Sequence, residues 1–137
     1  MNIIHYIQDY YGVLPEYLWQ DTPNVCVFRH QDNRKWFAVV MNDIPAAKLG
    51  LKEDKPLNLI NLKCNPELAQ MILIDNQTIF PAFHMNKKHW ISVVIDRCDR
   101  DELKNLLAHS FQLTQKRSGC LKETPAKPTQ KQNDNTP

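Results

Sequence analysis

Glycine is scarce in this chain, three among 137 residues, and the three stand apart from one another. No phosphate-cradling Gly-rich loop or dinucleotide fingerprint can be assembled from them. There is no H-E-x-x-H pair and no nucleophile elbow, so the familiar zinc-protease and hydrolase signatures are excluded. No apolar run approaches the roughly eighteen residues of a membrane span. The four cysteines, Cys26, Cys64, Cys98 and Cys120, never fall into a C-x-x-C pair, which removes the zinc-ribbon and thioredoxin-like patterns. The opening MNIIHYIQDYYG lacks the basic start, long apolar centre and small-residue cleavage site of a signal peptide. A cytoplasmic location, free thiols and no membrane contact are therefore expected.

What is present is a globular composition, 42% hydrophobic and 23% charged, with enough chain for one core. The formal charge of +2 is unevenly placed. From residue 115 onward, Lys116, Arg117, Lys122, Lys127 and Lys131 face only Glu123 and Asp134, a net of +3, which leaves −1 for residues 1–114. After Lys116 the apolar residues thin to Cys120, Leu121 and Ala126 among Pro125, Pro128 and Pro137. Such a stretch buries too little surface to offset its ordering entropy. The division expected is a folded domain over 1–115 and a disordered basic tail over 116–137.

Within the domain, Ile3, Ile4, Ile7, Tyr10 and Tyr11 form a helical stripe, with Asn2 as N-cap and Gly12 placed for a left-handed C-cap. Glu16–Trp19 reads as a short strand and Thr22–Asn24 as a turn. Val25–His30 and Lys35–Met41 are β-forming runs joined by the Asp/Asn-rich Gln31–Arg34, an antiparallel hairpin. Asn42–Pro56 carries two prolines and a glycine and reads as a long connection, with Leu49 and Leu51 as anchors. Leu57–Lys63 alternates as a strand, Leu57 and Leu59 on one face, Ile60 and Leu62 on the other. Asn65-Pro66-Glu67 starts a helix with the stripe Leu68, Ala69, Ile72 and Leu73. Ile79–Pro81 reads as irregular. Trp90–Ile95 is a strand buried on both faces. Asp99-x-x-Glu102 resembles a capping box and opens the longest helix, with Leu103, Leu106, Leu107, Ser110, Phe111 and Thr114 at helical spacing. This order gives an α+β fold: a two-layer sandwich in which N-terminal, middle and C-terminal helices cover one face of an antiparallel sheet.

Several of these stretches together resemble one family. VFRHQDNRKWFAVVM (Val27–Met41), KLGL (Lys48–Leu51), LINLKCNPEL (Leu59–Leu68), FPAFHMNKKHWISV (Phe80–Val93) and S-F-x-L-T (Ser110–Thr114) look like the MmcQ/YjbR family over residues 1 to about 115. The most specific piece is His84–Trp90 leading into a strand. The resemblance implies a CyaY-like fold and DNA binding, through similarity to double-wing DNA-binding domains. A frataxin-type iron role would need acidic residues along the first helix, which offers only Asp9.

Two clusters are candidate contacts. In the first, Asn86, Lys87, Lys88 and His89 precede the Trp90 strand: the lysines suit phosphates, and Asn86 or His89 a base edge. The competing structural reading makes Asn86 the cap of a turn that aims Trp90 into the sheet. In the second, Arg29, His30, Arg34 and Lys35 make a basic hairpin wing, although charges at a hairpin tip more often form a solvated face. Lys63 strengthens the case if it joins the two clusters. Trp19, Trp36 and Trp90 are read as core and rim packing ahead of stacking platforms. The expectation is a non-enzymatic monomer without cofactor or metal that binds DNA through Arg29, Arg34, Lys35, Lys63, Asn86, Lys87, Lys88 and His89. The alternative is a module that binds a protein partner.

Overall fold

The computed structural model describes residues 2–75 and 78–115. The tail assigned to residues 116–137 and the side chain of Leu73 lie outside that description. Helix α1 (Ile3–Tyr11) begins where Asn2 Oδ1 accepts the His5 amide and ends at Gly12, whose φ of 67° is the left-handed conformation the cap requires. Strands β1 (Val25–Arg29), β2 (Trp36–Pro45) and β3 (Pro56–Lys63) follow, then α2 (Pro66–Asp75), β4 (Ile79–Pro81), β5 (Trp90–Val94) and α3 (Arg100–Thr114). Both later helices start as their sequences predict. Asn65 Oδ1 accepts the Glu67 amide, and Asp99 accepts the amides of Asp101 and Glu102.

The five strands form one sheet in the order β1-β2-β3-β5-β4, every neighbouring pair antiparallel. All three helices lie on one face. There Ile3 and Ile7 of α1, Ala69 of α2 and Leu103, Leu106 and Leu107 of α3 meet Phe28, Phe37, Val40, Ile60, Leu62, Ile91 and Val93. The other face carries a second, smaller core built on Val27, Val39, Met41, Leu57, Leu59 and Val94. No helix covers it. Leu49 and Leu51 of the β2–β3 connection, and Phe83 and Met85 of the segment before β5, are laid across it. The opposed faces of Leu57/Leu59 and Ile60/Leu62 therefore serve two different cores.

Three local expectations are corrected. Glu16–Trp19 is not a strand: only Glu16 pairs, through an isolated bridge to Val27 on the outer edge of β1. Asn42–Pro56 is not wholly a connection. A bulge between Met41 and Ile44, with Asp43 at φ 57°, lets β2 continue to Pro45, which pairs with Pro56. Ala46–Leu49 then forms a 3-10 turn. Ile79–Pro81 is a short edge strand on β5, and Pro81 fits there because an edge residue can lack an amide donor. Among the described residues, Cys26, Cys64 and Cys98 are free thiols, and no helix is long and apolar enough to cross a membrane.

Candidate nucleic-acid interface

The sheet register brings the two sequence clusters to the same end of the molecule. The β1–β2 hairpin turns over at residues 31–34, just beyond the Arg29–Trp36 pair. Lys63 ends β3 opposite Trp90, the first residue of β5. One rung further out, the Cys64 amide donates to the His89 carbonyl. Hairpin tip, Lys63 and the residues 86–89 thus line one edge of the fold although up to about sixty residues separate them in sequence. The C-terminus of α3 arrives there too: Asn33 Nδ2 donates to the Thr114 carbonyl at 2.9 Å.

Asn86 acts as the cap that the structural reading expects. Its Oδ1 accepts the Lys88 amide at 2.8 Å and its carbonyl accepts the Trp90 amide at 3.0 Å. The same turn leaves Lys87 and Lys88 exposed and His89 half-buried. Capping and contact are compatible: Asn86 shapes the turn, and the lysines occupy its outside. The preceding His84 sits at φ 62°, with its ring 3.9 Å from that of Phe83.

The hairpin cations are not equivalent. Arg29 is held by Glu16, Nε to Oε2 at 3.0 Å and Nη2 to Oε1 at 2.5 Å. That two-point contact holds the Glu16 carboxyl below its usual range, with Arg29 as the leading cause. Arg34 reaches the same carboxylate only at 3.9 Å, and its side chain is 56% exposed. Arg34 and Lys35 are consequently the hairpin charges best placed for an external anion. Lys63 lies with its Nζ 5.9 Å above the Trp90 ring, a cation–π position that orients the ammonium.

His30, at the base of the hairpin, is 5% exposed. Its Nε2 is 2.8 Å from Thr114 Oγ1. The Thr114 hydroxyl donates to the Ser110 carbonyl, which leaves its oxygen able to accept from the His30 ring in the tautomer protonated at Nε2. Burial pushes the imidazole below its ordinary range; Asp32 and a hydrogen bond to the Phe111 backbone oppose that shift, and Lys35 reinforces it. The folded state therefore excludes a proton that the unfolded chain binds below about pH 6.5. Stability should be fully present above that pH and fall as the pH drops. His109, lowered by burial alone, acts in the same direction. Urea midpoints should decrease from about pH 7.5 to about pH 5.5, and His30→Gln should remove part of that decrease. A flat profile for the unaltered protein would contradict the buried neutral imidazole.

Two buried residues absent from the sequence-derived set organise the site from beneath. Asn61 of β3 and Ser92 of β5, a cross-strand pair, are both fully buried. Asn61 Nδ2 donates to the Phe83 carbonyl at 2.9 Å, and Ser92 Oγ accepts the Phe83 amide at 2.8 Å. The Ser92 hydroxyl in turn donates to Asn61 Oδ1. This closed network ties the segment that leads into the Asn86 turn onto the sheet. Its signal in the sequence is a polar residue set among apolar neighbours in each strand: Ser92 alone in β5, and Asn61 between Ile60 and Leu62 in β3. Among the described residues, no group of three His, Cys, Asp or Glu could hold a metal ion.

An antiparallel sheet with three helices on one face, loops on the other and basic turns at one end defines an α+β sandwich of specific topology. The family model described as YjbR matches residues 8–113. The Bacillus subtilis protein YyaQ is 40% identical over 114 residues, covering 82% of this chain and 95% of YyaQ. Escherichia coli YjbR is 31% identical over 58 residues, 42% of this chain and 48% of its own. The crystal structure of a Pseudomonas syringae protein, 42% identical, superposes with a TM-score of 0.79 over 84% of this chain and all of that one. The chain belongs to the YjbR family.

Proposed function

We propose that the protein binds DNA non-enzymatically through the hairpin end of its sheet, with Arg34, Lys35, Lys63, Lys87 and Lys88 on phosphates. The observation that carries this reading is charge segregation. A domain whose net charge is −1 over residues 1–114 attracts a polyanion only if its cations are gathered on one surface. Register and turn geometry bring Arg29, Arg34, Lys35, Lys63, Lys87 and Lys88 to one end, with Glu16 against Arg29 and Asp32 in the hairpin turn. Glu16 is already engaged by Arg29.

The test is a salt titration of binding to labelled duplex DNA by the full chain and by a Lys87→Ala/Lys88→Ala variant. Affinity should fall steeply with salt, and the double substitution should flatten the log–log slope by about 1.8 if both lysines release counterions. An unchanged slope would remove Lys87 and Lys88 from the interface. The second reading, a protein-interaction surface, is supported by exposed Leu14, Tyr17, Leu18 and Trp19 beside the β1 edge. Binding to a protein through those side chains would be nearly insensitive to salt.

A further inference from the structure

At the hairpin end, β2 breaks its own alternation. Val39 and Met41 face the loop-covered core and Ala38 and Val40 the helices, yet Phe37 also faces the helices, next to Ala38. The register shift between Phe28 and Arg29 absorbs the extra residue, so that Trp36, paired with Arg29, falls on the loop-covered face. Asn61, Ser92 and Val94 mark the same face on β3 and β5, and alternation adds Lys63 and Trp90 to it. This face therefore ends on two cross-strand pairs, Arg29 with Trp36 and Lys63 with Trp90, a row over four adjacent strands roughly 14 Å across at the usual strand spacing.

The members of the row differ in availability. Trp90 is 3% exposed and serves as the floor beneath the Lys63 ammonium. Trp36 is half-buried. Trp19, from the strap beside β1, meets the Trp36 ring edge-on at 5.9 Å and 88° and remains 41% exposed. An indole pair thus shares this end of the sheet with the hairpin cations Arg34 and Lys35 and with Lys63. Duplex DNA hides its base faces in the stack, whereas an unpaired strand offers them, and sheet-borne aromatics flanked by cations suit unpaired strands.

We infer that this row is a single-stranded DNA track, in which Trp19 and Trp36 stack on bases while Lys63, Arg34 and Lys35 hold the flanking phosphates. The inference rests on the DNA-binding reading above and narrows its ligand. The test compares, by fluorescence anisotropy at low salt, an oligothymidylate, an abasic strand of equal length, an equal-length duplex and an oligouridylate. It uses the full chain and a Trp19→Ala variant. Oligothymidylate should bind about tenfold tighter than the abasic strand of equal charge. Trp19→Ala should remove most of that difference without altering the salt slope. Equal binding of the oligothymidylate and abasic strands by the unaltered protein would overturn stacking and leave the phosphate contacts standing. Full preference retained in Trp19→Ala would overturn the assignment of the indole pair, and tighter binding of oligouridylate would overturn the assignment to DNA. Failure of all four ligands to bind would overturn the DNA-binding reading itself.

Discussion

Phe37→Ala is expected to cost about 3–5 kcal/mol of stability, the range for emptying a large aromatic site in a packed core. Phe37 is fully buried, and its ring meets four others. It lies 4.9 Å from Phe111 in an edge-on contact, 5.1 Å from His30, 5.7 Å from Tyr11 and 6.3 Å from Phe28. These partners come from α3, the hairpin base, α1 and β1. The Phe37 carbonyl also accepts the Ser110 hydroxyl at 2.6 Å. A cavity here would be felt by every element that joins the hairpin to the helices, and they cannot all collapse into it. Chemical denaturation should show a lower midpoint with little change in slope. A loss below about 1 kcal/mol would mean that the aromatic cluster repacks. The pattern of loss matters as much as its size: on the proposed DNA-binding reading, affinity should fall with the folded fraction, because the hairpin cations sit on or beside strands that pack against this cluster.

The helices and the face assignments of β3 were legible because they follow from local chemistry. Asn2, Asn65 and Asp99 cap the helices they precede, as their residue types require. Leu57/Leu59 and Ile60/Leu62 divide between two cores as alternation demands. The continuation of β2 past Met41 was not legible, because the bulge at Asp43 depends on a partner fifteen residues away: the Asp43 amide donates to Asn58 Oδ1. Ile79–Pro81 becomes a strand only because β5 lies beside it, and three residues ending in proline carry no local signature. In the candidate site, the Asn86 turn was readable. The meeting of that turn with the hairpin was not, since it is created by the antiparallel pairing of β3 with both β2 and β5. The capture of Arg29 by Glu16 escaped for the same reason: the two come together across the isolated bridge at Val27.

Asn61→Ala should separate the scaffold of the site from its charges. The substitution removes the donor to the Phe83 carbonyl and the acceptor of the Ser92 hydroxyl, both in a buried setting. Stranded polar groups of this kind cost about 1–3 kcal/mol each, with a small cavity added, so a loss of about 2–4 kcal/mol is expected. The damage should be local before it is global. Phe83 would lose one of the two bonds that hold it to the sheet, and the turn carrying Lys87 and Lys88 begins three residues later. On the proposed DNA-binding reading, affinity should therefore drop in Asn61→Ala under conditions where the protein remains folded, although every cation is retained. Lys87→Ala/Lys88→Ala should do the reverse, weakening binding with little effect on stability, since both side chains are exposed. Ser92→Ala and the double variant complete a thermodynamic cycle, in which a coupling energy of about 0.5–3 kcal/mol is expected for side chains sharing one network. Additive losses would show that Asn61 and Ser92 hold Phe83 independently. Full DNA affinity in folded Asn61→Ala would show that the lysines do not depend on that anchor for their position.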